Sequence, residues 1–240
     1  MSDASYGTAL AEGKTRVVEI IGPAGAGKST LCQLLAQSSD HLQLQNFPDV
    51  RNIKDAPFFI ANGLQLTPSL LRLYRPGSRH LNRREFAWLA ILKGWSSLLR
   101  QEPHNDGKMV ILDQGPVYLL AEMRLFGPDY LRQKRAEQFW QDFYRRWGET
   151  LYMVISLDAE DSILMDRIRN RQQEHVVKDQ PESVVYEFLQ KYRTEYESLL
   201  SNFTSLNNGF KVFQYDTGNQ RPNEIAEQFM QVISCGEKVT

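Results

Sequence analysis

The chain has 240 residues, of which 42% are hydrophobic and 24% are charged. These proportions are ordinary for a globular protein and argue against a fibrous or largely disordered chain. The formal net charge of −1 provides no overall field that would attract nucleic acid or an anionic membrane. We expect a single folded domain over residues 16–240, preceded by a flexible arm at residues 1–15.

The cysteines and histidines give no sign of a metal or redox site. Cys32 and Cys235 lie far apart in the sequence, which fits neither a metal site nor a disulfide framework. We expect both to be small buried apolar side chains in a reducing compartment. The four histidines, His41, His80, His104 and His175, have no ligand spacing, so we assign them no metal and no general base.

Nothing in the sequence predicts a secreted or membrane-spanning protein. The N-terminal residues lack a basic stretch followed by an apolar run, and no later window approaches the roughly 18 apolar residues of a membrane helix. We expect a cytoplasmic protein without a membrane partner.

Apolar strands alternate with helices along the chain. Strands are predicted at residues 16–21, 42–47, 109–113, 151–157 and 210–216, and helices at residues 28–38, 83–101, 130–147 and 181–200. This alternation favours a three-layer α/β fold, in which helices cover both faces of a parallel sheet of about five strands. Ligands of such sheets bind beyond the carboxyl ends of the strands.

Residues 22–29 read G-P-A-G-A-G-K-S and match the P-loop pattern G-x-x-x-x-G-K-[ST] between a strand and a helix. In this motif, backbone N–H groups and a helix N-terminus hold phosphates, the lysine reaches the β and γ phosphates, and the serine binds Mg²⁺. The alternative is a glycine-rich turn with a solvated lysine. We predict that ATP and Mg²⁺ are bound by Gly22, Pro23, Ala24, Gly25, Ala26, Gly27, Lys28, Ser29 and Thr30.

Carboxylates follow the second and third predicted strands. Asp113 would lie at the same sheet edge as the P-loop, where it could share Mg²⁺ with Ser29 or position an acceptor. The alternative role of Asp113 is to cap the next helix. After the second strand, Asp49 could accept a proton and Arg51 could pair with a negative group, but a turn built on Pro48 explains them equally well. Asp158, after the fourth strand, is predicted to cap a helix.

Residues 163–171 contain Arg167, Arg169 and Arg171 and precede a short polar stretch. Arg167 and Arg171 are four residues apart and share a helix face, whereas Arg169 points elsewhere. Such arginines are typical of a lid that closes over a transferring phosphoryl group, and the alternative is a solvated basic face.

The second basic segment, residues 72–84, contains Arg72, Arg75, Arg79, Arg83 and Arg84. It indicates an anionic acceptor, a partner surface or simply a solvated helix start. Nucleic acid is not expected there, because Tyr74 is the one interleaved aromatic residue. The aromatic residues of the late helix, Tyr186, Phe188, Tyr192 and Tyr196, are predicted to face the core and not a cofactor.

Taken in order, these pieces resemble the P-loop kinases of the thymidylate kinase and deoxynucleoside kinase type over residues 16–232. The resemblance implies that Asp49, Arg51 and Asp113 contact the acceptor and that residues 216–222 border the adenine. It also implies that Arg167, Arg169 and Arg171 form the lid. The chain departs from this family at Gln114, where the family usually has arginine, and this weakens the case for a nucleoside or nucleotide acceptor.

The sequence thus predicts a phosphotransferase that moves the γ-phosphoryl group of ATP to a small hydroxyl- or phosphate-bearing acceptor. Arg169 is expected to contact the nucleotide, and the predicted catalytic residues are Lys28, Asp49, Arg51, Asp113, Arg167 and Arg171. One alternative is a P-loop ATPase or nucleotide switch that acts on a protein partner, and another is a binding module without turnover. Whether the chain is a monomer or a homodimer stays open.

Overall fold

A computed structural model describes residues 16–101, 108–207 and 209–237, so the predicted arm at residues 1–15 lies outside the described residues. Within them, five strands form one parallel sheet. They are β1 (Arg16–Ile21), β2 (Leu42–Leu44), β3 (Met109–Leu112), β4 (Leu151–Asp158) and β5 (Lys211–Asp216). The five-stranded parallel sheet is as predicted.

The helices are α1 (Lys28–Ser38), α2 (Ala56–Leu73), α3 (Arg83–Gln101), α4 (Pro116–Phe126), α5 (Asp129–Arg132), α6 (Glu137–Gly148), α7 (Asp161–Asn170), α8 (Glu182–Leu206) and α9 (Pro222–Glu237). None of the helices in the described ranges is long and apolar enough to cross a membrane.

Alternating side chains of β1 show that both faces of the sheet are covered. Val17 and Ile21 pack into a core with side chains of α3, α4 and α6, whereas Val18 and Ile20 pack into a second core with α1 and α9. Cys32 of α1 is buried in the second core, as predicted, and the side chain of Cys235 lies outside the described part. The three-layer arrangement is therefore confirmed.

The strand order β2-β3-β1-β4-β5 positions the site. The chain runs from β1 to β2 and β3 on one side, and then to β4 and β5 on the other. Because the strands are parallel, the loops after β1 and β3 emerge next to each other at one edge. A change of direction of this kind is where α/β sheets leave a crevice for ligands.

Two predicted elements differ from the structure, and α2 was not predicted. The predicted helix at residues 130–147 is interrupted, because Gln133 is extended and a 3₁₀ turn at Lys134–Ala136 precedes α6. Strand β2 ends at Leu44 and not at residue 47. Helix α2 was not predicted: it contains Pro68, and apolar residues lie on both of its faces, because Ile60, Leu64 and Leu71 are exposed while Leu66 and Leu70 are buried.

Strand β1 also contains a buried acid. Glu19 is fully buried and accepts hydrogen bonds from the backbone N–H groups of Gly115 at 3.0 Å, Val117 at 2.8 Å and Tyr118 at 2.9 Å. These are donors at the start of α4 that the helix itself cannot satisfy. Burial raises the pKa of Glu19 to about 8, and the three amide hydrogen bonds oppose this rise. Glu19 therefore fixes the loop after β3 to the central strand.

We expect Glu19→Ala to lower the free energy of unfolding by about 3 kcal/mol, because it leaves a cavity and three buried amides without an acceptor. Since the pKa of Glu19 is higher in the folded chain than its ordinary 4.5, its contribution should be complete below pH 4.5 and should be smaller at pH 8 than at pH 5. Denaturant unfolding of wild type and variant at both pH values measures this. A difference that grows with pH would contradict it.

Candidate nucleotide and acceptor site

The loop between β1 and α1 has the backbone conformation of a phosphate cradle. Gly25 has a φ of 83°, in the left-handed region that favours glycine. A Cβ atom at Gly22 would lie 2.2 Å from the carbonyl oxygen of Leu157, so another residue would force the loop away from β4. Helix α1 starts at Lys28 directly after this turn. The loop therefore presents backbone N–H groups and the positive end of a helix to one point.

Lys28 folds back over the loop. Its Nζ donates to the carbonyl oxygens of Gly22 at 2.8 Å and Pro23 at 3.0 Å. Burial lowers the pKa of Lys28 to about 8, and the carboxylate of Asp113 opposes that change. The ammonium group is thus held at the phosphate cradle by two uncharged carbonyl oxygens. A charged phosphate oxygen forms a stronger hydrogen bond and can replace them.

Ser29 and Asp113 meet across the sheet edge. The Ser29 hydroxyl donates to Oδ2 of Asp113 at 2.7 Å, although the two residues are 84 positions apart in the chain. The other oxygen, Oδ1, is buried and has no hydrogen-bond partner in the structure. A hydroxyl beside a carboxylate with an unused oxygen fits the ligand set that Mg²⁺ takes together with substrate phosphates. In the described residues no group of three or more acidic, histidine or cysteine side chains forms a metal cage.

A cavity of about 400 Å³ opens in front of these side chains. Lys28, Ser29 and Asp113 line one part of it. The walls beyond them come from the loop after β3, from α4 and from α8: Gln114, Tyr118, Glu122, Phe188, Tyr192 and Tyr196. This cavity has room for a small organic molecule next to the phosphate cradle.

A second cavity of about 320 Å³ lies at the same loop and shares Gly25, Gly27, Thr30 and Arg167 with the first. Its other walls include Leu31, Leu157, Pro222 and Ile225. Residues 217 and 222 belong to the segment after β5 that the family resemblance associates with adenine. An apolar slot of this kind suits a flat base.

The three arginines of the predicted lid have different surroundings. Arg167 donates to the hydroxyl of Thr217 at 2.9 Å, to its carbonyl oxygen at 2.7 Å, and to the carbonyl oxygen of Gly25 at 3.3 Å. It therefore connects the P-loop to the segment after β5. Arg171 lines the larger cavity and donates to Gln173. Arg169 lines neither cavity. Its guanidinium lies at the surface, 3.5 Å from the carboxylate of Glu182.

Asp49 and Arg51 are exposed, and their contacts stay within their own turn. The Asp49 carboxylate accepts a hydrogen bond from the backbone N–H of Arg51 at 2.9 Å, and Asp55 accepts one from the backbone of Asp49. Neither residue is among those that line the two cavities. The structure therefore joins Lys28, Ser29, Asp113, Arg167 and Arg171 at the P-loop, but does not bring Asp49 or Arg51 to them.

The basic segment at residues 72–84 is partly structural. Glu85 pairs with Arg79 at 2.7 Å and forms reciprocal hydrogen bonds with Asn82, which cap the start of α3. Arg84 lies over the ring of Trp88 at 4.4 Å. Arg72, Arg75 and Arg83 are exposed.

Two sequence interpretations need correction, and one histidine lies at the site. The aromatic stripe of α8 is not only core, because Phe188, Tyr192 and Tyr196 also line the larger cavity. Asp158 does not cap a helix: its carboxylate pairs with Arg193 at 2.7 Å, since α7 begins three residues later. His175 lines the same cavity, and burial, followed by the charges of Arg171 and Lys28, lowers its pKa. His104 lies outside the described residues.

Sequence reasoning missed Tyr118 and Glu122, which lie on α4 and line the larger cavity. The one signal for them is their position, because they follow Asp113 by five and nine residues. Their role depends on α8, whose contact with α4 no local pattern predicts.

Sequence comparisons identify no relative: no protein-family model and no curated protein matches the chain. Solved structures do match. Thymidylate kinase from Candida albicans has a TM-score of 0.55 and 14% identity, with 93% of each chain covered. Deoxyadenosine kinase from M. mycoides with bound dATP has a TM-score of 0.51 and 15% identity, with 91% of this chain and 99% of that chain covered.

The same deoxyadenosine kinase with the products dCMP and dCDP has a TM-score of 0.52 and 17% identity over the same shares of the chains. These likenesses concern the fold, because the identities are too low to carry an activity. The chain therefore has the fold of the thymidylate and deoxyadenosine kinases, as its sequence resemblance implied.

Proposed function

We propose that this protein is an ATP-dependent phosphotransferase that transfers the γ-phosphoryl group to a small acceptor. The observation that carries this proposal is the hydrogen bond between Ser29 and Asp113, with Lys28 in the same cavity. It joins the three groups that P-loop enzymes use for a triphosphate and its metal. The kinase fold supports the same class of reaction.

In this proposal, the nucleotide lies across the P-loop with its base in the smaller cavity and its γ phosphate in the larger one. Backbone N–H groups of the loop and Lys28 hold the β and γ phosphates. Ser29 and Asp113 hold Mg²⁺, which when bound neutralises charge on the phosphate oxygens. Arg171 adds positive charge near the γ phosphate, because it lines the same cavity and its charge acts on Lys28.

The acceptor occupies the larger cavity and attacks in line. Its hydroxyl or phosphate oxygen forms a bond to the γ phosphorus while the bond from that phosphorus to the β–γ bridging oxygen breaks. ADP leaves with the bonding electron pair, and a proton from a hydroxyl acceptor is released to water. Catalysis consists of positioning and of charge stabilisation by the cations at the P-loop.

A screen of pooled metabolites with ATP and Mg²⁺ tests this proposal through acceptor-dependent release of ADP. We expect at least one pool to raise ADP release well above the rate without acceptor. If no pool does so, while the protein binds ATP, the proposed transfer is wrong.

We expect Arg167→Ala to weaken ATP binding about tenfold, because Arg167 joins the P-loop to the segment after β5 that walls the base cavity. Arg169→Ala is the matched control, since that side chain contacts Glu182 at the surface. Calorimetric titration of ATP into both variants measures the effect. Equal losses in the two variants would contradict the different roles of these arginines.

A second candidate function is a P-loop ATPase that acts on a protein partner. It is favoured by the outer face of α2, where Ile60, Leu64 and Leu71 are 63%, 69% and 69% exposed. Against it, Gln114 follows Asp113, whereas ATPases of this class usually have a glutamate there to activate water. ATP hydrolysis that a protein stimulates, without any small acceptor, would support this second candidate.

A further inference from the structure

The outer face of α2 carries a row of exposed aliphatic side chains. Ile60, Leu64 and Leu71 are exposed, and their spacing of four and seven residues places them on one side of the helix. Ile53, in the turn before α2, is 86% exposed. We call these four side chains the apolar row. No charged residue occurs between positions 56 and 71, so the row is continuous, and a surface of this kind marks an interaction site.

The chain segment around the apolar row is strongly basic. Residues 49–84 contain seven arginines and lysines but two acids, Asp49 and Asp55. The carboxylates of both acids accept hydrogen bonds from backbone N–H groups. Because the whole chain has 28 basic and 29 acidic residues, the rest of it has an excess of acids. The expectation of no membrane partner was based on the total charge, which hides this positive surface.

Five of the seven cations are available to a partner. The other two are engaged within the fold, because Arg79 pairs with Glu85 and Arg84 lies over the ring of Trp88. The five lie at both ends of the row: two precede α2, one is in its last turn, and two follow it. Their side chains are exposed and form no hydrogen bond or ion pair with any described residue; they are Arg51, Lys54, Arg72, Arg75 and Arg83.

This surface fits an anionic partner better than a second copy of the chain. A two-fold interface brings the same patch of both subunits together, so pairing through α2 would place two positive surfaces against each other. The repulsion between them opposes association. The apolar row and its cations therefore call for a partner that is negative and also offers apolar contacts.

Among anionic partners, a lipid surface suits the apolar row best. Single-stranded nucleic acid is bound by stacking on aromatic rings, but the row consists of aliphatic side chains. A protein, as in the second candidate function above, must match the shape of the projecting side chains. A fluid bilayer needs no such match, because its acyl boundary takes up aliphatic side chains while its headgroups meet the basic residues.

We propose that the apolar row and the five cations around it form a docking surface for a membrane that contains anionic lipids. Helix α2 lies along the membrane surface, because its inner face, with Leu66 and Leu70, is packed into the protein core. The apolar row enters the headgroup region, and the cations contact lipid phosphates. This inference goes beyond the proposed phosphotransferase function and does not depend on it.

Vesicle flotation with the full chain tests the docking surface. One set of vesicles contains phosphatidylcholine alone, and the other contains equal parts of phosphatidylcholine and phosphatidylglycerol. We expect at least about tenfold tighter binding to the second set, and weaker binding to it as the salt concentration rises. Equal binding to both sets, or binding to neither, overturns the inference.

Substitution of the apolar row tests its insertion. We expect Ile60→Gln combined with Leu64→Gln to weaken binding to the anionic vesicles at least about tenfold, because two aliphatic side chains no longer leave water. Leu206→Gln is the matched control, since Leu206 is an exposed aliphatic residue at the end of α8. Thermal unfolding shows that the variants are folded. Unchanged binding by the folded double variant overturns the role of the row.

Substitution of the cations is a second, independent test. We expect Arg72→Gln combined with Arg75→Gln to weaken binding to the anionic vesicles about tenfold. Arg145→Gln combined with Lys191→Gln is the matched control, because these exposed cations lie on α6 and α8, outside the docking surface. Equal losses in the two double variants would show a general effect of charge and overturn the assignment.

Pairing of two copies through α2 gives a different result. Sedimentation equilibrium without vesicles would then show a dimer that Ile60→Gln combined with Leu64→Gln converts to a monomer, and the wild type would not float with either set of vesicles. That result overturns the inference and assigns the row to a second copy. It leaves the proposed phosphotransferase function standing, because none of these measurements uses ATP or an acceptor.

Discussion

Replacement of Lys28 by alanine is expected to lower kcat/KM for phosphoryl transfer by at least about a hundredfold while leaving the fold intact. The ammonium group lies at the P-loop, where it contacts two loop carbonyl oxygens and faces the carboxylate of Asp113. Its loss removes the positive charge that the proposal places on the β and γ phosphates. Acceptor-dependent ADP release by both proteins measures the effect.

Lys191→Ala is the control for this prediction, because Lys191 is exposed and pairs with Glu187 on the surface of α8. A Lys28→Ala protein with the turnover of the control would show that the P-loop does not hold the reacting phosphate.

The lowered pKa of Lys28 adds a pH test to the same prediction. Because burial brings that pKa to about 8, the lysine loses its proton as the pH rises above 8. ATP affinity of the wild type should therefore fall above pH 8, and the affinity of Lys28→Ala should change less. Calorimetric titration at pH 7 and pH 9 compares the two proteins, and equal pH dependence would contradict the role of the lysine charge.

Asp113→Asn is expected to reduce turnover by about a hundredfold to a thousandfold and to raise the Mg²⁺ concentration needed for half-maximal rate. The asparagine oxygen can still accept the hydrogen bond from Ser29, so the substitution removes the charge while conserving the shape. Oδ1 of Asp113 is buried without a partner, which is the expected condition of an atom that binds a metal or its water.

Asp142→Asn serves as the matched control, because Asp142 is an exposed residue of α6 that lies 4.0 Å from Arg145. Turnover should be compared across a series of Mg²⁺ concentrations. If Asp113→Asn keeps the wild-type Mg²⁺ dependence, Asp113 does not take part in metal binding, and its role is limited to orienting Ser29.

The part of the site that local patterns determine could be predicted from the sequence. The P-loop is contiguous, and its strand and helix are strongly patterned, so β1, the loop and α1 appear where they were expected. The proximity of Asp113 to Ser29 followed from a general property of parallel sheets, whose strands end at one edge. Ser29 and Asp113 are 84 positions apart, but the sequence alone was enough to place them near each other.

The wall that α4 and α8 form around the larger cavity could not be predicted in this way. Glu122 and Tyr192 meet because α4 and α8 pack together, and the contact between two distant helices leaves no periodic signal in either. The same limit applies to Glu19, whose role depends on the start of α4 nearly 100 residues later. A charged residue inside an apolar strand was the available sign, but it does not name its partner.

The arginines of α7 show the limit of helical spacing. Arg167 and Arg171 were predicted to share one face and one role, but α7 ends at Asn170 and the backbone of Arg171 is extended. Both arginines line the larger cavity, but Arg167 also donates to Thr217 in the segment after β5, whereas Arg171 donates to Gln173. Where a helix ends decides the direction of a side chain, and helix ends are the least predictable part of a helix.

The most direct test of the proposed phosphoryl transfer follows the terminal phosphate of ATP. The protein is incubated with Mg²⁺, ATP labelled at the γ phosphorus and the acceptor pool that stimulates ADP release, and the labelled products are separated. We expect the label to move to an organic acceptor in an amount equal to the ADP formed, and we expect Lys28→Ala to abolish this transfer. Label found only in inorganic phosphate, or unchanged transfer by Lys28→Ala, would contradict it.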